Sequence, residues 1–548
     1  MRNLLSISAG LLLLVTAAAC ENGPGAPKDP PILKVTSPTR GLLQGHAGQL
    51  TVTGTVEPNA SGDPVEKVLV NNVEATVQSD GSFTATIDVG EGATLIETVA
   101  RDRQGATASD TRAVQAGQLR AVGANIPGAI TAALSADAFA KISAAAGPVL
   151  KGLDMAAMLA PLQPMVDVGS SCNGARAFID NLKFSDVKIA LSPVQGGLTF
   201  RAEIDQLDVP AHATYSVLCG DGSISLRLTA DKIVVAGTLN VTPNGMAGFN
   251  TRLTNPQVTV TGFHVSVSGL VGTVLDTVLG WLHLDTAIQT IVAKGAELAM
   301  NPLMNMALGA LGGPQQLDVL GKKLNLQVAP SAIAFSPVGA VLTMNMKVLI
   351  AGSESSPGFI YTDNGMPAMD AGHGFQLGLA DDLANEMMAE AQALGLIDLT
   401  MPASGGTFDA TQIHMTLPPM INADASDGEM RLVLGDMMAT YTSQGTPVAR
   451  AAINARIDLK IAPLVNGTSV ALQLGTPEIH IDVLDDINKT GLPADSLSKA
   501  TAACLGAQID ALSKLLVAIP LPAVAGLQVN NLSIGADDGY VMLQGQFQ

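Results

Sequence analysis

The groups in this 548-residue sequence that could perform chemistry are four cysteines, seven histidines and 48 acidic side chains, and their spacing narrows what that chemistry is. A hydrolase needs an activated nucleophile, yet the sequence holds no Gly-x-Ser-x-Gly elbow, no phosphate-cradling Gly-x-x-x-x-Gly-Lys and no His-Glu-x-x-His. His46, His212, His264, His283, His373, His414 and His480 are scattered without ligand spacing. Each reads as a surface or hydrogen-bonded structural histidine, and no metal or cofactor is expected. Asp381, Asp382, Glu386 and Glu390 raise the question of a cation site. They fall along the polar part of a predicted helix, and a solvated face is the expected outcome. No enzymatic activity is expected.

One cysteine sits among neighbours that specify a modification. Arg2, the apolar run Leu11–Val15 and the small residues Ala17, Ala18 and Ala19 lead directly to Cys20, in the order of a secretory signal. An ordinary signal needs no cysteine after its small residues. A bacterial lipoprotein signal does, because the thiol accepts a diacylglyceryl group, and this segment resembles one with Ala17 in place of the usual leucine. Residues 1–19 are expected to be a signal peptide and Cys20 the lipidated start of the mature chain. Two or more acyl chains at about 0.8 kcal/mol per buried CH₂ make such an anchor stable. No later stretch reaches the ~20 apolar residues of a spanning helix. The best, Leu270–Leu284, contains Asp276 and His283. The expected location is the bacterial cell envelope, anchored by lipid at the outer membrane and facing the periplasm or the outside.

With Cys20 acylated, Cys172, Cys219 and Cys504 remain in a compartment that permits disulfides. Cys172 and Cys219 lie in one predicted half and are the expected pair, which leaves Cys504 as a buried thiol on a predicted helix. Without Arg2 the mature chain has 28 basic and 48 acidic residues. That surface repels nucleic acid and anionic head groups. Aromatic residues make up only 3% of the chain, with Trp281 the single tryptophan, so stacking platforms for bases or sugars are not expected either. The 47% hydrophobic content instead points to extensive burial.

The elements follow in a definite order. Residues 20–31, rich in proline and glycine, form a tether. Residues 32–117 hold roughly seven short alternating runs, among them Leu50–Val56 and Ser82–Ile87, which predict a β-sandwich. Val68-Leu69-Val70-Asn71-Asn72, Asp80-Gly81-Ser82-Phe83 and Ala100-Arg101-Asp102-Arg103-Gln104-Gly105 resemble bacterial immunoglobulin-like modules, which usually act as spacers. From Asn125 onward Ile130, Leu134, Ala138 and Ile142 predict an amphipathic helix. Long alternating strands follow, such as Leu198–Ile204 and Gln257–Val265, and then a helix through Val271, Val274, Leu275, Val278, Leu279 and Leu282. After strands from Leu317 to Ile350 the order recurs: a helix over Leu379–Leu394, alternating strands over Gln412–Val483 and a helix over Ser496–Val517.

The second half resembles the family of bactericidal/permeability-increasing protein, lipopolysaccharide-binding protein and the plasma lipid-transfer proteins. The matching stretches are Leu379–Asn385 with Ala393–Ile397, Leu417–Ile421, Gly428–Leu432, Ile519–Pro522 and Leu527–Leu532. The first half fits through its order of elements and through Leu324–Pro330. The resemblance spans about 420 residues and none of its motifs is catalytic. It implies an α+β fold: a boomerang of two barrels of curved antiparallel sheet wrapped on long helices, each holding an apolar pocket for lipid chains. On that basis residues 122–316 form a first lipid-binding half, and residues 317–548 form bridge strands and a second. The family's antibacterial members use a basic tip that this acidic chain lacks, so endotoxin capture is not expected. The disulfide of the animal proteins is not transferred.

The 21 methionines, Met344, Met346, Met387, Met388, Met415, Met420, Met430, Met437 and Met438 among them, suit a pocket that moulds itself to acyl chains, and suit an ordinary core equally well. The stripes of the opening helices face the same choice, and Ile130, Leu134, Ile142, Leu383, Met387 and Leu394 are the candidate pocket residues. A 16-carbon chain costs on the order of 12 kcal/mol to expose to water, at ~0.8 kcal/mol per CH₂, so a carrier needs long apolar linings. The reading is a membrane-anchored protein that binds or transfers a phospholipid or other acyl lipid. The rival is a structural or adhesive surface lipoprotein without lipid-transfer activity.

Overall fold

Strands outnumber helices because most of the chain alternates apolar with polar side chains and does not repeat them every three or four positions. The computed structural model describes residues 29–245, 248–268, 273–308, 313–363, 365–402, 408–423, 430–463, 470–486, 529–537 and 539–547. The chain divides into two units, one of residues 1–37, 51–87 and 97–110, the other of residues 38–50, 88–96 and 111–548. Cys20, the signal, Cys504 and the predicted helix over Ser496–Val517 lie outside the described residues.

The smaller unit is built of strands. Ile32–Ser37 runs antiparallel to the strand ending at Glu57, and Val65–Val70 runs antiparallel to residues 98–102. Val70 turns into Val73 through Asn71 and Asn72, whose φ angles are 44° and 66°. A two-residue hairpin demands that backbone, and asparagine tolerates it. Val52, Val56, Val68, Phe83 and Ile87 point inward at alternate positions. The buried Asp102 accepts the backbone N–H groups of Gln104 (2.9 Å) and Ala106 (2.8 Å), closing the turn through Gly105.

The larger unit contains three seven-stranded sheets. In the first half the order is Val166–Ser170, Asn173–Ile179, Gly197–Val217, Gly220–Pro243, Phe249–Thr261, with Asp186–Val194 added to the third and His264–Ser268 to the fourth. In the second half the order is Leu399–Pro402, Ala410–Met415, Met430–Ser443, Thr446–Pro463, Val470–Leu474, with Met420–Asn422 and Glu478–Asp486 added at the same two places. The architecture therefore repeats strand for strand.

Both sheets curl, and their long strands change partners along their length where the ladder is interrupted. In the first half Asp205 faces Lys232 and Leu207 faces Ala230, so the ladder is interrupted at Gln206, with φ 52°, without a shift of register. In the second the register breaks between Leu434 and Met437 around Asp436, with φ 45°. Such bulges bend a strand and increase its twist. A third sheet joins the halves: Ile126–Ser135 and Phe375–Ala380 pair at its centre, flanked by Gly339–Ile350 and Lys322–Ser336 on one side and by Tyr540–Phe547 and Val529–Asp537 on the other.

The opening helices start later than the periodicity predicts. Ile130 and Leu134 belong to the Ile126–Ser135 strand, facing Met344 and Ala340 on one neighbour and Leu379 and Phe375 on the other. Residues 129–134 are all buried, so the run is continuously apolar and fits either period. Helix α1 is Ala136–Lys151, capped by the Ser135 hydroxyl, which accepts from the Ala138 N–H. The helices that follow are α2 (Met155–Leu159), α3 (Thr273–Leu282), α4 (Leu284–Leu308) and α5 (Asp381–Ala393). Leu379 likewise belongs to a strand, and Leu394 is the C-cap of α5. Among the described residues no helix is long and apolar enough to cross a membrane. The expected disulfide joins Cys172 and Cys219, at two neighbouring turns with their Cα atoms 4.0 Å apart.

Candidate functional site

An apolar pocket lies in the first half between α4 and the curved sheet. Ile291, Gly295 and Ala299, with Val292, Ala296 and Met300 beside them, recur every four residues and form one stripe of α4 along its wall. The facing wall comes from the Gly197–Val217 strand, where Phe200, Ala202 and Ile204 point inward at even positions. At Gln206, whose φ is 52°, the alternation breaks with no change in pairing register, so that Leu207 takes over the inward face. Val187 and Ile189 extend this wall, while Leu150, Met155, Leu182 and Phe184 complete the lining. The empty space amounts to about 560 Å³, open solvent at its mouth included.

Small side chains create this space. A Cβ added to Gly295 would meet only Leu159 Cδ2 and Met155 Cε, both at 4.0 Å, which is ordinary contact. Among the described residues no charged side chain lines the pocket. Among the charges adjacent in sequence to the lining, Lys151 Nζ lies 2.8 Å from Asp186 Oδ1, both half-exposed. The lysine holds the Asp186 carboxyl below its ordinary value through that hydrogen bond.

None of the six residues singled out from the sequence lines this pocket. Ile130 and Leu134 are buried in the central sheet, Ile142 on α1, and Leu383 and Met387 on α5, while Leu394 is partly buried beside the same core. Sequence reasoning missed α4, although the repeat Ile291/Gly295/Ala299 is a helical stripe that narrows to small residues. Of the methionines named from the sequence all but Met438 are buried in the core, and none of them lines the pocket.

The acidic residues of α5 overturn their expectation. They form no solvated face: Asp381, Asp382, Glu386 and Glu390 are at most 3% exposed. Each accepts a backbone N–H from a different segment: Ala423 (2.9 Å) to Asp381, Thr362 (3.0 Å) to Asp382, Gly123 (2.7 Å) to Glu386, and Ile350 to Glu390. The Ser353 hydroxyl adds a 2.8 Å bond to Glu390. Asn385 exchanges two bonds with the backbone of Ile421, and Gln392 donates to the carbonyl of Met415. The polar side chains of α5 thus satisfy the backbone around it. Burial pushes Asp382 up to about 7, Glu386 to about 9 and Glu390 to about 7. The one sequence signal was negative: no Lys or Arg occurs between Lys347 and Arg431 to partner them.

A different solution serves the bulge residue of the second sheet. Asp436, fully buried, accepts from the Arg40 guanidinium at 2.8 Å and from the N–H groups of Gly41 (2.9 Å) and Ala113 (3.1 Å). The same guanidinium reaches Asp482 at 3.0 Å. His212, His373 and His414 each face a single aspartate at the surface. Among the described residues no group of three or more His, Cys, Asp and Glu side chains could hold a metal ion.

Residues 31–118 match the family described as glucodextranase, domain B. No curated protein matches the chain in sequence. Among solved structures, a lipopolysaccharide-binding protein shares 12% identity at a TM-score of 0.35, over 77% of this chain and 98% of that one. The P47 protein of Clostridium botulinum A2 shares 8% at a TM-score of 0.27, over 76% and 96%. The Escherichia coli adhesin FdeC shares 8% at a TM-score of 0.14, over 64% and 91%.

Proposed function

We propose that this chain is a membrane-anchored lipid-binding or lipid-transfer protein. In this reading Cys20 carries the anchor, residues 21–31 and the following immunoglobulin-like module act as tether and spacer, and the pocket under α4 takes an acyl chain of a phospholipid or related lipid. The observation that carries it is the pocket: a cavity walled by aliphatic, aromatic and methionine side chains without a charged one. A polar metabolite would lose its hydration there without replacement bonds. An acyl chain gains about 0.8 kcal/mol for each CH₂ removed from water. The small residues of α4 supply the room, and the break in alternation at Gln206 keeps the opposite wall apolar. The action is physical binding and release, with no covalent step.

Native mass spectrometry of the full chain, purified gently from bacterial membranes, tests the proposal. Co-purifying acyl lipid, displaced by added fatty acid, is the expected result. Protein that is folded, consistently ligand-free and unable to take up a fluorescent fatty acid would sink it in favour of a structural or adhesive role.

A further inference from the structure

Helix α5 poses an accounting problem that hydrogen bonds alone do not solve. Glu386 and Glu390 are fully buried one turn apart. In each, one oxygen is satisfied: Glu386 Oε1 by the Gly123 N–H, Glu390 Oε2 by the Ile350 N–H and the Ser353 hydroxyl. The other oxygen of each, Glu386 Oε2 and Glu390 Oε1, is buried without a partner. Residues at this spacing have Cβ atoms about 5–6 Å apart, within reach of two glutamate side chains. Two carboxylates here would be two acceptors facing no donor, and two like charges out of water.

We propose that Glu386 and Glu390 hold one proton between them, as a carboxylic acid donating to a carboxylate, and that this proton fastens α5 to the segments around it. A single proton on Glu386 Oε2 turns one orphan acceptor into a donor for the other. It also removes the repulsion. The remaining oxygens are then free to hold Gly123, which precedes the Ile126–Ser135 strand, and Ile350, which ends a neighbouring strand of the central sheet.

Among the described residues the surroundings bring no cation to this pair, the charge of Arg120 acting on Asp382 and Tyr361. On α5 itself the other titratable groups are Asp381 and Asp382. From the ribbon packed on it come Tyr361 and Arg120, whose guanidinium lies 3.3 Å from the Tyr361 ring centroid. Glu91, Glu354 and Asp363 approach from exposed loops and Tyr540 from the penultimate residues of the sheet, all acids or phenols. The strands Ile126–Ser135, Phe375–Ala380 and Met420–Asn422 carry no titratable residue, and Lys347 on Gly339–Ile350 is exposed. Burial first, and the charge of Glu390 second, raise Glu386 to about 9, and the two groups titrate as a unit. As pH rises past that range the proton leaves and α5 loses its hold, so the central sheet carries a proton-dependent fastening.

Two measurements on the full chain test this. Infrared spectroscopy at neutral pH should show a protonated carboxyl band in the parent that is weakened in Glu386→Gln. Thermal melts over about pH 5 to 10 should show the parent losing stability with rising pH, and Glu386→Gln, which carries a permanent donor at the same place, losing more than half of that dependence. Glu390→Gln should flatten the profile as well, and decides the matter should Glu386→Gln fail to fold. Parallel pH profiles for parent and variants, or an infrared band unchanged by the Glu386→Gln substitution, overturn the proposal.

Discussion

Helices α1 and α5 occupy the same place in two halves whose sheets have the same strand order, yet they meet their surroundings by opposite chemistry. Helix α1 buries Ala138, Phe139, Ile142, Ala146 and Leu150 on one face and turns its charges outward, where Lys141 meets Asp137 and Lys151 meets Asp186. Helix α5 is buried at every position from Asp381 to Ala391, acids included. The first half has 10 basic and 13 acidic residues over 122–316, the second 10 and 23 over 317–548. Part of the second half's excess is therefore interior, where carboxyls serve as hydrogen-bond acceptors for the backbone. Topology sets where a helix runs; it does not set whether its polar residues see water.

The largest effect that sharpens this contrast comes from Arg40→Ala. The substitution leaves Asp436 buried with its charge unmatched, and breaking such a pair from one side costs roughly 3–5 kcal/mol. Denaturant melts of the full chain read it directly. Arg40→Ala combined with Asp436→Asn should recover part of the loss, and no recovery would mean that the arginine acts through packing alone.

Acid and alkali should then act on different halves. Asp382, Glu386 and Glu390 have folded-state pKa values raised to about 7, 9 and 7, so the native state keeps protons that the unfolded chain has already released. Their contribution therefore declines as pH climbs from the unfolded carboxyl range to about 9, at up to about 1.4 kcal/mol per pH unit for each proton retained. In the first half Asp186, Glu203 and Asp208 have lowered values, through hydrogen bonds to Lys151, Lys232 and Arg227. Their contribution is present above the unfolded carboxyl pKa and is lost as pH falls through the folded values. Hydrogen exchange should find second-half amides around α5 opening first in alkali. Uniform opening across both halves would break the comparison.

How much of this was legible in sequence follows from which patterns are unique. Runs such as Leu198–Ile204 can only be half-buried strands, and the recurrence of alternating strands after an opening helix matches the repeated strand order of the two sheets. The Cys172–Cys219 pair followed from position in one half. Ile126–Ser135 was not legible, because a strand flanked on both sides inside a sheet is apolar throughout and looks helical at Ile130 and Leu134. The burial of Asp382, Glu386 and Glu390 was hidden for a related reason: acids at helical spacing look the same whether they face water or backbone N–H groups of distant segments. The pocket itself depends on the break in alternation at Gln206, which a strict period of two does not reveal.

Filling the pocket separates the halves by function. Ala299→Trp projects into the cavity under α4 and should lower fluorescent fatty-acid binding at least about tenfold, while changing stability by no more than about 1–3 kcal/mol. Met388→Trp, on the fully buried α5, should reduce stability by a similar amount and leave binding unchanged in the folded protein. Undiminished binding in a folded Ala299→Trp variant would place the lipid site elsewhere.

The smallest expected effect tests whether ion pairs in the two sheets really differ in kind. Arg227 makes two hydrogen bonds to Asp208, at 2.7 and 2.9 Å, a geometry at least as good as that of Arg40 with Asp436. The difference is solvent: the Arg227 side chain is 64% exposed and Asp208 27%, against 13% for Arg40 and 0% for Asp436. Water and salt screen the exposed pair, and removing one partner leaves the other free to hydrate. Arg227→Ala should therefore cost far less than Arg40→Ala, and less still in high salt. A double-mutant cycle with Asp208→Ala, run beside the Arg40 and Asp436 cycle in the same buffers, isolates the pairwise energy from incidental packing. Equal coupling energies in the two cycles would mean that geometry governs both pairs, and the contrast between an outward-facing and an inward-facing use of charge would fail at its most direct test.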